Sequence, residues 1–299
     1  MANRKIPSRV FSRAKEDAAV AKTATETPQT TDVSYKLAFQ DNEFLLKDEL
    51  RPVRFQLELL KAEMLMEESN IGSTFVMYGS ARIPEREKSQ AMLKAATTDK
   101  QRRIAERLIA KGKYYDEARK LAQIASQCGL DEKGKRQFVV CSGGGPSIME
   151  AANRGAHDVG QESIGLNIVL PFEQTPNAYV TPHLSFQFHY FAIRKMHFLL
   201  RARAVAAFPG GFGTFDELFE LLTLVQTGKM AQLPIFLFGR EFWERVVNFD
   251  ALVEEGVIAE RDLQLFRFVE TAEEAWEKLN GYYATYQREF LHRDPPKAA

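Results

Sequence analysis

The feature that most constrains this chain is an apolar run that ends in glycines and resumes as a helix. Ala204-Val205-Ala206-Ala207-Phe208 has the apolar character of a buried strand. Pro209-Gly210-Gly211-Phe212-Gly213 then forces a turn, and Leu218-Phe219-Glu220-Leu221-Leu222 continues in a helical pattern. Glycines allow a tight turn and a close ligand approach. A helix start behind them offers unpaired N–H groups and the positive end of the dipole, a seat for an anion such as phosphate. The same unit recurs. Gln137-Phe138-Val139-Val140-Cys141 leads into Ser142-Gly143-Gly144-Gly145-Pro146 and a helix running to Ala156, and Thr74-Phe75-Val76-Met77-Tyr78 leads into Gly79-Ser80-Ala81-Arg82.

Further strand candidates lie at 163–168, 234–238 and 266–269, with helical patterns between them. Strands separated by helices predict an α/β fold, a doubly wound parallel sheet with helices on both faces. Ligands of such sheets bind beyond the carboxyl ends of the strands, so the three loops are expected to converge on one edge. The charged stretch 85–128 predicts two helices broken near Gly112, and 186–202 predicts an aromatic-rich helix. Thr271-Ala272-Glu273-Glu274 is a capping box opening the last helix. The polar stretch 1–34 predicts a disordered arm, 35–70 a helical extension, 71–290 the α/β domain and 291–299 a tail.

Composition narrows the function. Forty basic and forty acidic residues cancel, which argues against a charge-driven nucleic-acid or membrane-surface binder. Two cysteines, Cys128 and Cys141, give neither a disulfide framework nor zinc spacing and point to a reducing cytoplasm. No apolar run is long enough to span a bilayer, and the basic N-terminus lacks the apolar core of a secretory signal.

The 142–146 loop suits phosphate or ribose, with Pro146 expected at the first helical position. It is no dinucleotide fingerprint, because Ile148 stands where the third glycine belongs, and it lacks the Gly-Lys-Ser/Thr end of a Walker loop. Arg194-Lys195 sits among Phe188, Tyr190, Phe191, Met196 and Phe198. The pair either forms the wet face of an amphipathic helix or holds a phosphate or carboxylate. Glu217 also has two candidate roles. Thr214-x-x-Glu217 fits a capping box, in which the glutamate only closes a helix end. Alternatively, a carboxylate beside an anion seat makes sense where a cationic centre must form between them. Glutamine serves equally in a capping box, so Glu217→Gln separates the two. His183, His189 and His197 lack the spacing of a metal site, and no metal or other cofactor is expected. Nothing around Lys195 suggests a Schiff base.

Pro209–Glu217 together with Arg194-Lys195 resembles the Lonely guy (LOG) family of nucleoside 5′-monophosphate phosphoribohydrolases, long labelled "lysine decarboxylase". The likeness runs from about Phe75 to Phe238. Tyr78–Arg82, Gly143–Ala156 and Leu224–Lys229 are similar to its larger bacterial branch. The resemblance implies a Rossmann-like domain that releases free base and ribose 5-phosphate from a nucleoside monophosphate such as AMP or a cytokinin riboside monophosphate. Related proteins include a molybdenum-cofactor carrier, so a non-hydrolytic nucleotide- or cofactor-binding protein is the alternative. It further implies catalytic roles for Arg194 and Glu217. Substrate contacts are implied for Gly79, Ser80, Arg82, Gly143, Gly144, Gly145, Ser147, Glu173, Lys195, Gly210, Gly211, Gly213, Thr214 and Thr223. Ser147 departs from the glycine common at its position. The aromatic 186–202 segment has apolar surface to spare, which points to a homodimer or higher homo-oligomer.

Overall fold

The computed structural model describes residues 11–83, 85–171 and 175–290. They fall into two compact units that divide between Leu57 and Glu58. In the first lie three short helices, α1 (Ala14–Ala21), α2 (Pro28–Thr31) and α3 (Asn42–Leu45), none with a buried residue. The stretch expected as a disordered arm thus carries helices α1 and α2. The next helix, α4 (Arg51–Glu68), begins in the first unit and runs on into the second.

The second unit is built on strands β1 (Thr74–Tyr78), β2 (Val139–Ser142), β3 (Ile164–Ile168), β4 (Ser185–Phe188), β5 (Ala202–Ala207), β6 (Ile235–Phe238) and β7 (Arg267–Val269). All pair in parallel, in the order β4-β3-β2-β1-β5-β6-β7. The helices are α5 (Arg86–Ala95), α6 (Asp99–Lys111), α7 (Lys113–Ser126), α8 (Ile148–Asp158), α9 (Phe191–Leu200), α10 (Phe212–Gln226), α11 (Arg240–Val246), α12 (Phe249–Glu254) and α13 (Ala272–Phe290). The expected doubly wound parallel sheet is present. The chain builds outward from β1 to β4, then returns to place β5 beside β1, so the switch point lies between β1 and β5.

The core is close-packed around the sheet centre. Phe75, Met77, Val140, Ala204, Ala206, Phe208, Phe236 and Phe238 form one cluster with Leu121, Ile148 and Leu279. Ala118, Ala122 and Ala125 on α7 and Ala151, Ala152 and Ala156 on α8 are fully buried. Small side chains on both helices let their backbones approach closely.

Three local expectations change. The 186–202 segment is two elements. Phe186 and Phe188 are buried on either side of exposed Gln187, a period of two, and β4 pairs with β3 before α9 begins at Phe191. The 85–128 stretch holds three helices, with the predicted break at Gly112 between α6 and α7. At Thr271 the hydroxyl accepts the Glu274 N–H at 3.2 Å, but the Glu274 carboxylate reaches the N–H of Glu270, so only half of the capping box forms. On α9, Phe191, Met196 and Leu200 stand exposed. No helix among the described residues is long and apolar enough to cross a membrane.

Candidate functional site

The three glycine or arginine loops meet at the switch point and are tied to one another by backbone hydrogen bonds. The Ser80 N–H donates to the Pro209 carbonyl at 3.2 Å, and the Ser80 carbonyl accepts the Ile148 N–H at 3.3 Å. The loop after β1 is therefore held by the loop after β5 on one side and by the start of α8 on the other. Above them opens a cavity of about 820 Å³. It is lined by Gly79–Arg82, Met149, Arg194, Gly211–Phe215, Glu217 and Val246.

The floor of this cavity is an arginine–glutamate pair. Arg194 lies one turn into α9 and is 9% exposed. Its Nε donates to the Leu166 carbonyl of β3 at 2.7 Å, and its guanidinium stacks over Phe198 at 5.0 Å. That leaves the Nη1 edge to meet Glu217 Oε1 at 3.3 Å. A β-carbon at Gly143 would lie 2.7 Å from Arg194 Nη2, so the glycine there makes room for the guanidinium. Burial pushes the Glu217 carboxyl up to about 7, with Arg194 pulling it down and Asp216 adding to the rise. Burial also raises the Tyr78 hydroxyl and the Cys141 thiol beneath it, reinforced by the Glu217 charge. The site thus holds a carboxyl that is poised to change charge near neutrality.

Helix α10 starts at Phe212, with Gly211 as its cap and no side chain capping it. Thr214 is therefore the third residue of the helix, and Glu217 sits a turn and a half in. The Thr214–Glu217 capping box does not form, because the glycines let the helix begin earlier than that box requires. The first intrahelical bond runs from Phe215 N–H to Gly211 C=O at 3.1 Å. The N–H groups of Phe212, Gly213 and Thr214 then have no intrahelical acceptor and face the cavity end. At Gly210 a β-carbon would stand 2.6 Å from the Thr214 Cβ, so only glycine lets this turn close onto the helix. Phe212 is 96% exposed at the cavity rim.

Other predicted residues lie beside this centre. The 142–146 loop sits behind Arg194 and is already hydrogen-bonded. The Gly144 N–H donates to the Ser142 hydroxyl at 3.0 Å, and its carbonyl accepts from Asn177. Pro146 does not open α8. Ser147 caps it instead, at φ 68°, with its hydroxyl bonded to the Ile83 carbonyl. A residue with a side chain here adopts a conformation that favours glycine. Lys195 pairs with Asp216 and Glu220, each at 3.2 Å, and Thr223 bonds the Phe219 carbonyl at 2.7 Å on an exposed face. Glu173 falls outside the described residues. His183 meets Glu162 and His197 is buried near Glu63. No cluster of three or more His, Cys, Asp or Glu suited to a metal exists among the described residues.

Two asparagines that sequence patterns did not single out hold the second loop. Asn177 donates through Nδ2 to the carbonyls of Gly144 and Gly145 at 3.1 and 3.0 Å and to Asn153 Oδ1 at 2.9 Å. Asn153, fully buried, also accepts from the Ser142 hydroxyl at 2.7 Å and donates to Ser163 at 3.0 Å. An asparagine among the small, buried residues Ala151, Ala152, Gly155 and Ala156 was the available signal.

Comparison with known proteins adds to this geometry. A family model described as "Possible lysine decarboxylase" matches residues 149–279. The cytokinin riboside 5′-monophosphate phosphoribohydrolase LOG of Oryza sativa subsp. japonica is 30% identical over 181 residues, 59% of this chain and 70% of that protein. LOG3 of Arabidopsis thaliana, with the same activity in its name, is 29% identical over 154 residues, 50% of this chain and 70% of that protein. Among solved structures, the molybdenum cofactor binding protein from the phototrophic bacterium Rippkaea orientalis aligns with a TM-score of 0.41 and 18% identity, covering 57% of this chain and 88% of that one.

Proposed function

The chain belongs to the Lonely guy (LOG) family, and from that premise we propose that it hydrolyses the N-glycosidic bond of a nucleoside 5′-monophosphate to free base and ribose 5-phosphate. The observation that carries this is the Arg194–Glu217 pair at 3.3 Å on the floor of a switch-point cavity whose far end is the open N-terminus of α10. The free N–H groups of that first turn suit a 5′-phosphate, with Arg82 at the same rim adding charge. Glu217 lies five residues on, roughly 7 Å along the helix axis. The span from a 5′-phosphate to the anomeric carbon of its ribose is of the same order.

In this arrangement the glycosidic bond breaks with its electron pair leaving on the base, which takes up a proton from solvent and departs neutral. Positive charge develops at the anomeric carbon, and water adds there. Glu217, as carboxylate, faces that carbon, stabilises the cation and accepts the proton of the attacking water. Arg194 holds the carboxylate in place and favours its charged form, while the Leu166 carbonyl fixes the guanidinium. The exposed ring of Phe212 offers a face for the departing base.

The test is incubation with a panel of nucleoside monophosphates and the corresponding nucleosides, with free base and ribose 5-phosphate measured. Release from monophosphates alone is expected. Because Glu217 titrates at about 7 and must be ionised, kcat/KM should fall tenfold per pH unit below that value. No release from any monophosphate, with tight binding of a nucleotide-like cofactor instead, would replace the hydrolase with a carrier.

A further inference from the structure

Helix α9, which carries Arg194, is held at its start by a carboxylate from a different helix. Glu58 of α4 accepts the His189 N–H at 2.8 Å through Oε1 and the Tyr190 N–H at 3.2 Å through Oε2. Tyr190 is the cap of α9, and no side chain of the local sequence caps it. The Tyr190 carbonyl in turn accepts the N–H of Arg194 at 3.1 Å. Tyr190 is therefore tied on both sides, its N–H to the Glu58 carboxylate and its carbonyl to the backbone of Arg194, whose guanidinium in turn reaches Leu166 and Glu217. At the other end of α9, Arg201 pairs with Glu63 and Glu67, again from α4. Between them His197, buried against Glu63, fills the seam.

We propose that Glu58 is a positioning residue of the active site, setting where Arg194 meets Glu217 by capping α9 from α4. An unpaired helix start needs acceptors, and a carboxylate there is favoured further by the dipole. An ordinary cap would come from the preceding residues. Here the preceding residues are strand β4 and a two-residue link, so the cap has to come from elsewhere. This gives the second half of α4 a task in the chemistry, and it rests on the hydrolase reading only for its kinetic consequences.

Two variants test it, Glu58→Ala and the isosteric Glu58→Gln, which keeps one acceptor. The primary readout needs no substrate. The Glu217 carboxyl is titrated in the free protein by difference infrared spectroscopy, with Glu217→Gln as the blank. Arg194 holds that carboxyl down, so loosening Arg194 should move its midpoint upward, further for alanine than for glutamine. Kinetics then split the effect. A misplaced arginine should lower kcat by about tenfold or more while KM changes little, since small displacements of catalytic groups are costly. If either folded variant leaves the Glu217 midpoint where it is in the parent, the positioning role is overturned. If the midpoint moves but the parent releases no base, the hydrolase reading alone fails.

Discussion

Replacing Glu217 with glutamine should make the protein more stable at pH 8 and leave its stability unchanged near pH 4. In the folded chain the carboxyl is raised from 4.5 to about 7, chiefly by burial and in spite of Arg194. A group whose folded value lies above its unfolded value contributes stability below the unfolded value, and this is lost as pH rises through the folded one. Between pH 4.5 and 7 the parent protein therefore loses, at about 1.4 kcal/mol per unit, on the order of 3 kcal/mol that the glutamine variant keeps. In a chain of this size each kcal/mol is worth roughly 2–4 °C, so the melting temperatures should separate by on the order of 5–10 °C at pH 8. The assay is urea and thermal unfolding of both proteins at half-unit intervals from pH 4 to 8.5. Comparing the two at each pH cancels every other titrating group. The same variant should lose about 10²–10³-fold in kcat/KM, the usual cost of removing a group that stabilises developing charge. Coincident melting temperatures across the whole range would refute the reasoning, because they would mean that the charged carboxylate carries no burial cost. A glutamine variant less stable than the parent at pH 8 would refute it as well.

Two further substitutions probe the loops. Gly210→Ala puts a methyl group against Thr214 and should shift the start of α10, costing about 1–3 kcal/mol and raising KM for a monophosphate more than the Ki of a free base; chemical denaturation and steady-state kinetics read both. Asn177→Ala removes the donor to Gly144 and Gly145 and should cost about 1–3 kcal/mol, with kcat/KM falling as the loop behind Arg194 loosens. An Asn177→Ala protein with parental melting and kinetics would show that the loop holds its shape without that side chain.

The sheet was legible in the sequence because buried parallel strands read as apolar runs whatever their partners. β4 was the exception. Its four residues, two of them phenylalanine, adjoin an apolar helix, and so short an alternation is swallowed by the helical pattern beside it unless β3 is seen to pair with it. The candidate pair Arg194 and Glu217, which the structure brings together, stood out for a related reason: each is a charge embedded in an apolar or glycine-rich segment. Their partners were not. The Leu166 carbonyl, the Asn177 amide and the Glu58 carboxylate lie 28, 33 and 132 residues from the groups they hold. Those pairings come from the order of strands and the direction of helices, not from spacing along the chain.

The errors in helix starts share one cause. At both α8 and α10 a glycine run precedes the helix, and several registers satisfy a motif in such a run. Thr214-x-x-Glu217 and the position of Pro146 are each consistent with a helix start that the chain does not use. Contacts between loops decide the register. Ile148 N–H must meet Ser80, and Thr214 must pack against Gly210. Starting α10 at Phe212 moves Glu217 from the helix end, where its charge would be solvated and favoured by the dipole, into the buried second turn beside Arg194. The rise of its carboxyl to about 7 follows from that placement. A three-residue difference in where a helix begins thus separates a capping glutamate from one able to face a developing cation.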